Sequence, residues 1–105
     1  MLSIAICDDE IQITGKIENL VQKIANKNFV NIETEVFWNG ESLLDAIIND
    51  SKFDIIYLDI EMPKEDGISV AKRIRMYDKN VLIIYVTSHE NHMRESFAVR
   101  PFRFL

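Results

Sequence analysis

Short apolar runs that alternate with segments of helical spacing constrain this chain more than any other feature of its sequence. The stretch "LSIAICD", residues 2–8, is apolar almost throughout, as expected of a strand buried on both faces of a sheet. Ile13, Ile17, Leu20 and Ile24 follow at helical intervals, with Lys16, Glu18, Gln22 and Lys23 between them. This predicts an amphipathic helix of about three turns. In "NIETEVF", residues 31–37, Ile32, Thr34 and Val36 alternate with Glu33 and Glu35, the pattern of a half-exposed edge strand. Leu43, Leu44, Ile47 and Ile48 mark a second helix after Asn39-Gly40. "FDIIYLDIEMPKEDG", residues 53–67, supplies a third strand through Ile55, Ile56, Tyr57 and Leu58. Asp66 reads as the N-cap of a helix in which Val70, Ala71 and Ile74 share one face. "NVLIIYVTS" is a fourth buried strand ending at Thr87, and "ENHMRESFAV" holds one short helix, with Met93 and Phe97 four apart. A fifth strand begins in the closing "RPFRFL".

Strand and helix in alternation mark a parallel sheet with helices on both faces, and right-handed crossovers leave few strand orders open. The expected fold is α/β and flavodoxin-like, a doubly wound sheet of five parallel strands in the order 2-1-3-4-5. That order makes the second strand an edge and buries the first, third and fourth. A chain of 105 residues is one domain, spanning 1–105, small but sufficient for a single core. With 48% apolar and 28% charged residues, three Gly and two Pro, it is neither disordered nor collagen-like. No apolar run approaches a membrane span, and "MLSIAICDDE" lacks the basic start and cleavage site of a signal peptide. A cytoplasmic protein with no membrane contact is therefore expected. The single cysteine, Cys7, excludes an intramolecular disulfide and is expected to pack inside the first strand. A formal charge of −5 argues against nucleic acid bound through this domain, because phosphate contacts need a basic face.

Chemistry in such sheets gathers outside the carboxyl ends of the strands. The first strand ends in "CDDE" and the third in Asp59, so Asp8, Asp9 and Asp59 are expected to converge from neighbouring strands about 4.8 Å apart. Three like charges at that distance repel unless they are protonated or neutralised by a cation. Oxygen-only donors suit Mg²⁺, and a carboxylate beside such an ion is a plausible nucleophile toward phosphorus. A lone Asp after a strand is most often a turn or cap residue, and Glu10 belongs to the solvated start of the first helix. The pair after one buried strand, together with Asp59 after its neighbour, favours a metal site. Thr87 ends the fourth strand on the other side of Asp59. Its hydroxyl suits a phosphoryl oxygen, and Ser88 leaves the approach open; equally, Thr is a common strand residue and Ser88 a helix cap. His89 and His92 lack Cys or carboxylate neighbours at metal-binding spacing and read as surface residues. Phe37 and Trp38 are expected to anchor the second strand against a helix.

With these residues in place the sequence resembles the receiver domain of two-component response regulators. The resemblance rests on Asp8-Asp9, on "LDIEMPKEDG" with Asp59, Met62, Pro63 and Gly67, and on "VTS" around Thr87, in order along nearly the whole chain. It implies that Asp59 accepts a phosphoryl group from a sensor histidine kinase or a small phosphodonor. It implies also that Asp9 ligates Mg²⁺ directly, Asp8 through water or as a second ligand, and that the Glu61 backbone carbonyl completes the protein's share. Thr87 would be the switch hydroxyl, and Phe104 the switch aromatic on the fifth strand, packing inward as the threonine moves. Met62-Pro63 and Gly67 would shape the turn after the acceptor. Such a protein phosphorylates itself with Mg²⁺ but turns over no metabolite.

One departure stands out. Receivers carry a Lys at the end of the fifth strand, and Arg100 comes only 13 residues after Thr87, too soon for a helix and then a strand. Aligning Phe104 with the aromatic puts the Lys two residues past Leu105. The chain is therefore expected to be a fragment, truncated within or just after the fifth strand, with the last helix missing. The exposed edge and helix-docking face would invite a homodimer. The closing "ESFAVRPFRFL" resembles regulators followed by a LytTR-type DNA-binding domain, which implies transcriptional control in the parent protein and DNA contact only through that domain. Glu61 is either a residue that tunes phosphoryl lifetime or a solvated surface side chain.

Other functions fit less well. A haloacid-dehalogenase-type enzyme has two Asp separated by one residue, whereas Asp59-Ile60-Glu61 stands here. A flavin module needs a hydroxyl- or Gly-rich phosphate loop after the first strand, where "CDDE" would repel phosphate. A pseudo-receiver that binds partners without phosphorylation is the alternative that the absent Lys supports.

Overall fold

The computed structural model describes residues 1–86 and 103–104. Its elements run β1 (Leu2–Cys7), α1 (Ile11–Lys27), β2 (Ile32–Phe37), α2 (Gly40–Ile48), β3 (Ile55–Asp59), α3 (Gly67–Ile74), β4 (Leu82–Val86) and β5 (Arg103–Phe104). The strands form one sheet in the order β2-β1-β3-β4-β5, all neighbours parallel. This is the flavodoxin-like order expected from the sequence. The predicted helix over residues 90–99, together with Thr87, Ser88, His89 and His92, lies outside the described residues. Among the described residues no helix is long and apolar enough to cross a membrane.

Alternation along the strands divides the core in two. Ala5, Cys7, Ile56, Leu58, Ile83 and Tyr85 point to the face covered by α2 and α3. There they meet Leu43, Leu44 and Ile47 of α2 and Val70, Ala71 and Ile74 of α3. Ile4 and Ile6 point to the other face and pack on Ile17 and Val21 of α1, with Ile55 and Tyr57 at the margin. β1, β3 and β4 are apolar on both sides because both sides are covered. β2 is the edge, and its exposed Glu33 and Glu35 blunt the unpaired side.

Two expectations need correction. α1 runs for 17 residues rather than three turns, and it buries Thr14, Ile17, Val21 and Ala25. Leu20 and Ile24 of the predicted stripe are 53% and 54% exposed. Two helical stripes overlap at Ile17, and the one turned inward sets Ile17 and Val21 against Ile4 and Ile6 of β1, with a hydrogen bond from Thr34 Oγ1 on β2 to Glu18 Oε2, 2.8 Å long, beside it. Phe37 is buried, but its ring meets that of Phe53, in the connection before β3, edge-on at 5.8 Å. Trp38 is not buried. It follows the last strand residue and is 48% exposed.

Helix ends carry the caps their sequences allow. Asn39 Oδ1 accepts the Ser42 N–H at 2.8 Å and Asp66 Oδ1 the Ser69 N–H at 2.8 Å, each satisfying an orphan amide of the first turn. α1 and α2 both close with a residue in the left-handed region, Phe29 (φ 56°) and Asp50 (φ 72°). The next amide then reaches back, Val30 N–H to Ala25 O at 2.9 Å and Ser51 N–H to Ala46 O at 2.9 Å, the hydrogen bonding of a Schellman ending.

Candidate functional site

β1 and β3 are neighbours, and their register pairs Cys7 with Leu58. One residue further along each strand stand Asp8 and Asp59, level with each other at the carboxyl end of the sheet. The sheet bonding continues past them, with Asp8 N–H donating to Phe37 O at 3.1 Å and Ile60 N–H to Val86 O at 3.2 Å. Both carboxylates are held in the same way. Asp8 Oδ1 accepts the Glu10 N–H at 2.9 Å and Asp59 Oδ1 accepts the Glu61 N–H at 3.1 Å.

Asp8, Asp9 and Asp59 each present an oxygen within 4.8 Å of the others'. Asp8 is only 3% exposed, Asp59 is half-buried and Asp9 is exposed. Burial, followed by the charge of Asp8, pushes the Asp59 carboxyl up to about 7, against the pull of the Glu61 amide. Asp8 is raised too, mainly by burial and then by the charges of Asp9 and Glu10, while the Glu10 amide opposes the rise. The ion pair found among the described residues, Arg73–Glu65, lies on α3 and the loop before it, so it neutralises none of the three. The three carboxylates crowd together, and among the described residues no ion pair reaches them.

Two residues beneath the cluster fix its floor. Cys7 is buried, and its Sγ lies 3.4 Å from Asn39 O and 3.8 Å from Met62 Sδ, joining the β2–α2 loop to the β3–α3 loop. Burial and the charges of Asp8, Asp59 and Asp9 push this thiol up to about 12, so it stays neutral. Gly67 opens α3 against the back of Asp59: a Cβ there would overlap the Asp59 carbonyl oxygen and lie 2.9 Å from the Ile60 Cα. Its N–H donates to Ile60 O at 2.8 Å. Close approach, not an unusual φ, is what this glycine provides.

The structure thus brings together Asp8, Asp9 and Asp59, as the sequence predicts. Glu61 is exposed, with its amide on Asp59. Thr87 lies outside the described residues, directly after Val86, which is the register partner of Asp59. Phe104 pairs with Tyr85 on β5, and its side chain is not described. The roles of Asn39 and Cys7 in tying the loops escaped the sequence reading. Asn39 three residues before Ser42 was a legible cap; the contacts of a strand cysteine were not.

A parallel sheet with an acidic cluster across the carboxyl ends of its two central strands defines a class of protein, and comparison with known sequences and structures agrees. The family model described as the response regulator receiver domain matches residues 4–101, and the chain belongs to that family, a signalling domain of two-component systems rather than a metabolic enzyme. Curated relatives include the sensory transduction protein LytT of Bacillus subtilis, 28% identical over 105 residues, covering 100% of this chain and 42% of the relative. The sensory transduction protein LytR of Staphylococcus epidermidis is 34% identical over 84 residues, covering 80% of this chain and 31% of the relative. The chain spans less than half the length of these relatives. Among solved structures, the response regulator TrrA of Thermotoga maritima in complex with Mg²⁺ and BeF superposes with a TM-score of 0.83 at 27% identity. That alignment covers 100% of this chain and 85% of TrrA.

Proposed function

We propose that Asp59 is the phosphoacceptor of this receiver. The observation that carries the reading is the convergence of three carboxylate oxygens within 4.8 Å at the carboxyl ends of β1 and β3. Mg²⁺ fits this donor set, which is all oxygen and dense in charge, with burial raising the carboxyls of Asp59 and Asp8. Asp8, Asp9 and Asp59 would hold the ion with the Glu61 backbone carbonyl. When bound, the ion neutralises the carboxylates and the equatorial oxygens of a transferring phosphoryl group.

The chain's own residues position the reaction. The Glu61 N–H occupies Oδ1 of Asp59 and leaves Oδ2 as the attacking atom. A bond forms from Oδ2 to phosphorus as the P–N bond of a phosphohistidine, or the P–O bond of acetyl phosphate, breaks, and the leaving group carries the electron pair. Gly67, pressed against the Asp59 carbonyl, prevents the acceptor's backbone from retreating. Thr87 would engage the new phosphoryl oxygen, and Phe104, on the strand beside Tyr85, would turn inward as it does.

The donor would be a sensor histidine kinase in the cytoplasm. The output would be transcriptional, through a DNA-binding domain of the LytTR type, the kind that follows in the regulators that the closing "ESFAVRPFRFL" resembles. Intact-mass measurement after incubation with acetyl phosphate and Mg²⁺ tests the acceptor. Addition of one phosphoryl group, absent in Asp59→Asn, is the expected result. No Asp59-dependent addition would replace the reading with that of a partner-binding pseudo-receiver.

A further inference from the structure

A cleft of about 200 Å³ lies between the β2–α2 and β3–α3 loops, lined by Trp38, Glu41, Pro63, Lys64 and Glu65 among others. None of the three acidic-site carboxylates lines it. Its walls have features that the core does not explain. Trp38 is half-exposed, although an indole of that size buries readily. Lys64 is held at φ 71°, and the amide after it, Glu65 N–H, bonds back to Pro63 O at 2.8 Å. That three-residue turn is costly for a residue with a side chain. Glu65 already grips a guanidinium, its Oε1 2.6 Å from Arg73 Nη1. Glu41 has no partner among the described residues.

An exposed indole face beside an unpaired carboxylate recognises a planar cation. The indole attracts positive charge through its quadrupole, the carboxylate accepts two parallel N–H groups from a guanidinium, and the chain's charge of −5 draws cations to the surface. A guanidinium meets both demands better than an ammonium, because it stacks as well as pairs. Trp and Arg are also the residues that dominate protein interfaces. From this arrangement we propose that the cleft is a second binding site, which takes an arginine side chain of a protein partner against Trp38 with its charge on Glu41. The site stands whether or not Asp59 accepts a phosphoryl group. Lys64 lines the same cleft, so its ammonium would compete with the arginine for Glu41.

Trp38 is the one tryptophan of the chain, so its indole N–H gives an isolated NMR signal. The experiment titrates acetyl-Ala-Arg-Ala-amide into the protein at saturating Mg²⁺, which keeps the probe from the acidic site, with the lysine tripeptide in parallel. The expected result is a saturable shift of the Trp38 signal at millimolar probe, at least threefold tighter for arginine than for lysine. Glu41→Gln is expected to weaken binding at least threefold, and Lys64→Gly to tighten it by a similar factor. These opposite signs separate recognition from loss of folding. A Trp38 signal that does not saturate, equal response to the two peptides, or wild-type affinity in Glu41→Gln would each overturn the proposal.

Discussion

Asp59 is pushed one way by the strand that buries it and the neighbouring Asp8 that repels it, and the other way by the Glu61 amide. Its carboxyl, raised to about 7, binds a proton more tightly in the folded chain than in the unfolded one, where the value is 3.8. The folded state is thus favoured below about pH 4, and that advantage is lost as pH rises toward 7. Asp8 acts in the same direction. Thermal unfolding without divalent ions should therefore show stability falling across this window, by about 1–2 kcal/mol once water at the half-buried site is allowed for. Asp59→Asn should flatten the profile and be the more stable form at pH 8. Added Mg²⁺ should raise the melting temperature of the wild type at pH 8 and do little at pH 4.5, where protons compete for the carboxylates. Gly67 makes a second residue-scale prediction. Gly67→Ala forces a methyl into the Asp59 carbonyl and should cost about 1–3 kcal/mol in urea unfolding. Phosphoryl incorporation should slow by more than stability alone explains.

At the scale of elements, the strands were legible because both of their faces are covered. An apolar run such as "DIIYLD" has no other comfortable place. The same runs made the acidic site legible: once β1 and β3 are neighbours, residues just past their ends must meet. The rotation of α1 was not legible. Helical spacing shows that a stripe exists, but Ile17 belongs to two stripes, and which one is buried depends on the distant Ile4 and Ile6 of β1. Trp38 misled for a related reason, since one residue past a strand end separates a buried Phe37 from an exposed indole. The two Schellman endings were also hidden, because Phe29 and Asp50 stand where Gly is usual. That departure is testable. Phe29 is 96% exposed and makes no packing to lose, so Phe29→Gly should stabilise the domain by about 1 kcal/mol in chemical denaturation. A loss of stability would mean that the ring contributes something its exposure conceals.

Among the described residues the sheet carries unequal burdens on its two sides. The face under α2 and α3 carries the larger cluster, from Ala5 through Tyr85, whereas the α1 face rests on Ile4, Ile6, Ile17 and Val21. Leu44→Ala, on the heavier side and almost wholly buried, should cost about 3 kcal/mol. Leu20→Ala, at the exposed flank of α1, should stay within about 0.5 kcal/mol. Paired urea melts decide it, and equal costs would mean that the α1 flank is covered in solution.

Cys7 gives this imbalance a clock. The chain holds one thiol, and folding places it under the sheet's acidic end, neutral and out of reach of any alkylating reagent. The protein can therefore be labelled only while β1 is out of place, and the pace of labelling counts those departures. Iodoacetamide should react with the native chain far more slowly than with the urea-unfolded chain. Added Mg²⁺ should slow it again, so that a buried sulfur atom keeps time for the three carboxylates above it.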